Sequence, residues 1–226
     1  MKPKISNFDI VYHGTSTFEG YSSLANIDKI DLKKGYKKAD FGQGFYVTYI
    51  LEQAQNWAER KANNNNEYIE KVLKAMGLRI STDVETENNF VPEEMNLDID
   101  EMLEKPIIFK YRINHSKLST LKSCIFSEAD KKWAEFIYNN RQKNNVLTSD
   151  FHNMNNKYDY VFGSLADGKI GKEVAIFGKA FQKNPKNTSI SKFHKKIMPY
   201  KKINDQLSFH TQKALKCLTF LEVLTL

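Results

Sequence analysis

Two strand-like runs punctuated by glycine, the second followed by a helix-spaced segment, set the first limit on what this chain can fold into. Phe8-Asp9-Ile10-Val11-Tyr12-His13-Gly14 gathers β-branched and aromatic residues and ends in a glycine. Phe45-Tyr46-Val47-Thr48 is a second such run, entered through Gly42 and Gly44. Behind it Ala54, Trp57, Ala58 and Lys61 fall at helical spacing, which predicts a helix over 51–62 that frays into Asn63-Asn64-Asn65-Asn66.

The same switching between period two and period 3.6 continues downstream. Residues 106–113, Pro-Ile-Ile-Phe-Lys-Tyr-Arg-Ile, alternate as a strand, and 130–141 read as a helix with Trp133, Phe136 and Ile137 on one face. Residues 158–162 and 207–209 are short strands, and Thr211 is placed to cap a last helix whose face is Leu215, Leu218 and Leu221. Strands and helices interleaved in this order define the α+β class. No internal repeat is present, and 226 residues suit a single domain spanning 1–226.

Charge divides the chain unevenly. Residues 63–105 hold eleven Asp/Glu against four Lys/Arg, a local balance of −7 that leaves +14 on the rest, given +7 overall. The segment reads as an acidic insertion on a basic body, peripheral and helical in part. A basic body suits an anionic partner. Two cysteines, Cys124 and Cys217, make neither a disulfide framework nor a metal site, and the reading is buried thiols in a reducing cytoplasm. No apolar run reaches the length of a membrane span, and the first residues carry no apolar leader. The histidines lack metal-ligand spacing, and neither a P-loop nor a Rossmann glycine pattern occurs. Asp130, Glu135 and Arg141 on the 130–141 helix read as surface ion pairing.

A strand ending in His-Gly is bland alone, and so is a glycine turn before a strand. Together, Tyr12-His13-Gly14-Thr15-Ser16 and Asp40-Phe41-Gly42-Gln43-Gly44-Phe45-Tyr46-Val47-Thr48, the latter followed by Glu52-Gln53-Ala54-Gln55-Asn56-Trp57-Ala58, resemble the NAD-binding core of ADP-ribosyltransferases of the diphtheria-toxin and poly(ADP-ribose) polymerase type. The resemblance is closer to an uncharacterised bacterial family of ADP-ribosyltransferase-like domains. Trp133-Ala134-Glu135-Phe136-Ile137, Tyr158-Asp159-Tyr160-Val161-Phe162-Gly163-Ser164-Leu165-Ala166-Asp167 and Asn204-Asp205-Gln206-Leu207-Ser208-Phe209 carry it through nearly the whole chain except 63–105.

This resemblance implies a split, mixed β-sheet core with flanking helices. It implies mono-ADP-ribosyl transfer from NAD, as co-substrate, to a macromolecular target, in the setting of a bacterial toxin or defence component with a small antitoxin as partner. By resemblance His13 binds the adenosine ribose, the Gly14 backbone pairs with the nicotinamide carboxamide, and Tyr46 stacks on nicotinamide. Thr15 and Phe45 complete the implied cofactor-binding set with Trp57, for which two readings stay open, the second aromatic of a nicotinamide sandwich and a core residue.

In NAD the leaving group is bound as a cationic pyridinium and departs as neutral nicotinamide, so catalysis is mostly positioning and electrostatics around an oxocarbenium-like ribose. The family pattern places a Glu on a late strand, and this chain has Gln206. An amide can hold a ribose hydroxyl but cannot act as a base. Three readings follow: the acceptor brings its own base, another acid such as Asp205, Asp167 or Glu135 takes the role, or the protein binds NAD, or nucleic acid, without turnover. The stretch from Lys192 to Lys202, with Phe193 and Tyr200 interleaved, precedes this motif and suits an anionic target, nucleic acid or an acidic protein face.

Overall fold

In the computed structural model of the chain, residues 4–18, 20–76, 102–142, 146–200 and 204–226 are described. The strands are β1 (Ile10–Ser16), β2 (Phe45–Val47), β3 (Pro106–Ile113), β4 (Ser123–Ile125), β5 (Tyr160–Ser164), β6 (Asp205–Phe209) and β7 (Leu218–Thr225). The helices are α1 (Leu51–Ala75), α2 (His115–Leu118), α3 (Lys131–Arg141), α4 (Ile170–Lys183), α5 (Ile190–Ile197) and α6 (Gln212–Leu215).

The strands form two sheets. One has the order β1-β3-β7, all antiparallel; the other is β2-β6-β5-β4, mixed because β4 runs parallel to β5. A bridge between Tyr12 and Thr48 joins them where β1 passes β2. The expected α+β class is therefore the observed one.

Side-chain alternation explains the layering. Along β3, Ile107, Phe109, Tyr111 and Ile113 point into a core shared with Phe45, Phe162, Leu207 and Phe209 of the second sheet. Ile108 points the other way, against Ala54 and Ala58 of α1. The second sheet repeats the logic: Val161 turns away from the shared core toward Trp133, Phe136 and Ile137 of α3, Phe177 of α4 and Phe193 and Ile197 of α5. Asp130 caps α3, its side chain accepting from the Trp133 amide at 2.8 Å.

Four expectations are corrected. The helix from Leu51 does not fray at Asn63 but continues to Ala75. The asparagines that suggested fraying clamp the returning chain: Asn66 donates to the Glu104 carbonyl (3.0 Å) and accepts from its amide (2.8 Å), and Asn65 donates to the Glu104 carboxylate (2.7 Å). The ends of the acidic segment thus belong to the folded body, while its stretch 77–101 lies outside the described residues. The last helix stops at Leu215, and Leu218 and Leu221 lie instead on β7, an edge strand paired with β3. Phe193 is not a surface aromatic of a basic loop, because residues 190–197 form α5 and bury it. Lys201 and Lys202 of that stretch lie outside the described residues. Cys217 is buried as expected, while Cys124 is only partly so, its thiol pushed up to about 12 by burial.

Candidate functional site

The bridge between the two sheets opens a cleft of about 200 Å³. β1 supplies Tyr12, His13 and Gly14; β2 supplies Tyr46; α1 supplies Ala54 and Trp57; β6 supplies Gln206. Asp40 from the loop before β2 and Arg141, the last residue of α3, complete its wall.

His13 is held across the sheet gap, with Nδ1 2.7 Å from the Tyr46 carbonyl. A carbonyl only accepts, so Nδ1 carries the proton. Burial, with nearby Lys61 adding to it, pushes the imidazole down to about 4 against the opposing pull of the Tyr46 carbonyl. The ring is thus neutral near pH 7, and its Nε2 keeps a lone pair that can accept a hydroxyl.

Tyr46 has its hydroxyl fully occupied. It donates to the Gly42 carbonyl at 2.6 Å and accepts from the Phe41 amide at 3.0 Å. Burial first, and then the Asp40 charge, raise this phenol far above its ordinary range. What it offers the cleft is therefore its ring face, not a proton. Gly42 sits at φ 94°, a left-handed conformation that glycine adopts without strain. That turn brings the loop carbonyl onto the Tyr46 hydroxyl.

Asp40 is only 2% exposed. Its Oδ1 accepts from Arg141 Nε at 2.5 Å; its Oδ2 accepts from the Ala166 amide and from Gln206 Nε2, both at 3.2 Å. Loop, α3, the segment after β5 and β6 thus meet on one carboxylate.

The structure brings His13, Gly14, Tyr46, Trp57 and Gln206 to one cleft. Trp57 is 53% exposed on the rim, which removes the core reading. Thr15 and Phe45 are corrections: both are buried behind the wall, Thr15 accepting from Lys61 Nζ at 2.8 Å and Phe45 packing in the core with its ring 4.4 Å from that of His13. The close approach that excludes a Cβ at Gly14 is to the Ala54 carbonyl of α1.

The three acids considered as substitutes for the missing Glu lie elsewhere. Asp205 is buried against Ser164 and Tyr49, Glu135 accepts from Thr148 and Ser149, and Asp167 accepts from the Tyr200 amide at 2.7 Å. The carboxylate in the cleft is Asp40, and its partner Arg141 is not a surface ion-pair residue. The signal that could have shown its burial is spacing: Arg141 follows Trp133 and Ile137 at i+4 steps and so lies on the buried face of α3.

The fold is α+β, with a cleft at the junction of its two sheets. A family model described as a protein of unknown function (DUF3990) matches residues 10–220, and the chain belongs to that family. Neither a curated protein nor a solved structure matches the chain. Among the described residues no helix is long and apolar enough to cross a membrane.

Proposed function

We propose that this protein is an NAD-dependent mono-ADP-ribosyltransferase with an ADP-ribosyltransferase-like fold, acting on a macromolecular target. The observation that carries the reading is the convergence of His13, Tyr46 and Gln206 from three strands distant in sequence onto one cleft. Their chemistry fits one end of a dinucleotide: a flat aromatic face at Tyr46, a second aromatic at Trp57, a neutral imidazole acceptor at His13 and an amide at Gln206. The volume, about 200 Å³, lies below the ~300–1,000 Å³ of ordinary ligand pockets, so the cleft encloses a part of NAD and leaves the rest at its mouth.

NAD supplies a good leaving group, nicotinamide, and an electrophilic ribose carbon. Within this chain, Tyr46 and Trp57 hold the ring, His13 Nε2 accepts a ribose hydroxyl, and Gln206 positions the second ribose. No carboxylate of the cleft is free to act as a base, since Asp40 is held by Arg141 and Gln206, and the lone pair of His13 Nε2 is spent on the ribose hydroxyl. The acceptor therefore brings its own proton-accepting group. In the cell the reading places the protein in a toxin or defence setting with an anionic target. The test is nicotinamide release from NAD with and without cell lysate, followed by mass spectrometry of lysate treated with labelled NAD. Lysate-dependent release with an ADP-ribose adduct supports transfer; NAD binding without release would make the protein a binding module.

A further inference from the structure

Beside the cleft, between α3 and α4, runs a second cavity of about 310 Å³. It shares Tyr36 and Arg141 with the cleft and is otherwise distinct from it. Lys38, Arg141 and Lys179 line it, with no acidic residue among its described lining residues. Lys38 and Lys179 make no ion pair among the described residues.

Gln142 makes the cavity more than a basic patch. It is 6% exposed and lines this cavity. Its Oε1 accepts from the Val146 amide at 3.1 Å, which fixes the sense of the side-chain amide. Among the described residues, its Nε2 is buried with no hydrogen-bond partner. A buried donor without an acceptor is costly, and native proteins rarely tolerate one without a reason. The apolar floor, Val174 and Ala175 of α4, offers it nothing.

We propose that this cavity is a second binding site, separate from the NAD cleft, for a phosphate-bearing ligand. A phosphate presents several acceptor oxygens and negative charge together. One oxygen completes Gln142 Nε2, and Lys38 and Lys179 balance the charge. The guanidinium of Arg141 has donors beyond the Nε spent on Asp40, and it sets the phosphate next to the cleft wall. A ligand seated there lies where an acceptor molecule would wait, which is the one point at which this site bears on the transferase reading. The phosphate belongs either to a free nucleotide or to the end of a nucleic-acid strand; the chemistry at Gln142 is the same.

The test titrates the full-length protein with inorganic phosphate, adenosine 5′-monophosphate, and a short single-stranded oligonucleotide with or without a 5′-phosphate. Two variants accompany it. Lys179→Ala removes an exposed charge. Gln142→Glu keeps the acceptor for the Val146 amide but replaces the unpartnered donor with an oxygen. The expected result is phosphate-dependent binding weakened tenfold or more in both variants, with melting temperature and NAD affinity unchanged in Lys179→Ala. Preference for the monophosphate over the phosphorylated strand identifies a nucleotide site, and the reverse a strand-end site. Equal affinity of wild type and both variants overturns the proposal, as does displacement of phosphate by NAD, which would make the cavity part of the NAD site. Loss of NAD binding everywhere with phosphate binding intact removes the transferase reading and leaves this site standing.

Discussion

Asp40 Oδ2 accepts a hydrogen bond from Gln206 Nε2 at 3.2 Å, and this contact decides how residue 206 faces the cleft. A carboxylate can only accept, so the amide nitrogen must turn toward Asp40 and Oε1 is left for a ligand hydroxyl. Gln206 is thus not a neutral stand-in for a catalytic Glu. It is half of a Gln–Asp pair whose negative charge is already matched by Arg141.

That pairing changes what Gln206→Glu does. The new carboxylate would face Asp40 across a hydrogen-bond distance, with one guanidinium beside two acids. Like charges this close favour retention of a proton, which raises the new carboxyl above the ordinary Glu value of about 4.3. The folded state then binds more protons than the unfolded state, so stability falls as pH rises through that window. Gln206→Glu should melt below wild type at pH 8 and approach it at pH 5. Adding Asp40→Asn should recover the loss at pH 8. Thermal melts at the two pH values check this; a deficit independent of pH would break the pairing argument.

Tyr46 separates ring from hydroxyl. Tyr46→Phe removes the bonds to the Gly42 carbonyl and the Phe41 amide while keeping the ring. At about 1 kcal/mol for each net hydrogen bond, the loss is roughly 1–3 kcal/mol of stability. On the proposed reading, NAD affinity should fall by more in Tyr46→Ala than in Tyr46→Phe, because only Ala removes the ring face. Denaturant melts and NAD titrations of the two variants check both halves.

Two buried imidazoles give the fold an acid limit. His13 and His210 are each pushed down to about 4, chiefly by burial. His210 is held between Ser208 Oγ and the Gln43 carbonyl, both at 2.8 Å. Between about 6.5 and 4 the unfolded chain binds protons that the folded chain refuses, so stability falls as pH drops through that range. The melting temperature should decline from pH 7 to pH 4.5, and His210→Gln should flatten the slope. On the proposed reading, NAD turnover should show no His-type titration near 6.5, because His13 is already neutral there. An activity step at that pH would contradict the assigned state of His13.

The sequence patterns that proved reliable are those whose period and packing agree. Residues 106–113 alternate, and β3 occupies those same residues. Trp133, Phe136 and Ile137 share a helical face and are all buried. The misreadings arise where tertiary contacts overrode local preference. Asn63–Asn66 are weak helix formers, yet Asn65 and Asn66 are used to grip Glu104, and α1 runs through them. Leu218 and Leu221 suit a helix face equally well, and pairing with β3 made them strand. Of the cleft's lining, His13, Tyr46, Trp57 and Gln206 were singled out by motifs. The Asp40–Arg141 pair was not, because one hundred and one positions separate the partners and only the fold brings them together.

Gly14 carries the last prediction, because two explanations for it give opposite results. If the glycine serves only a ligand, alanine at this position folds normally and loses NAD. In the structure a Cβ on residue 14 would run into the Ala54 carbonyl and crowd the Ala58 amide nitrogen at 3.1 Å. Both are backbone atoms of α1, and neither has a rotamer with which to yield. Relief requires α1 to move off β1, disturbing the contact of Ala54 and Ala58 with Ile108. Gly14→Ala should therefore cost roughly 1–3 kcal/mol or more, in the range of an overpacked core, with or without NAD. Ala54→Gly should not rescue it, since the carbonyl remains. Urea unfolding of Gly14→Ala and of the double variant measures this directly. Wild-type stability in Gly14→Ala would break the packing account and leave a bound ligand as the reason for the glycine.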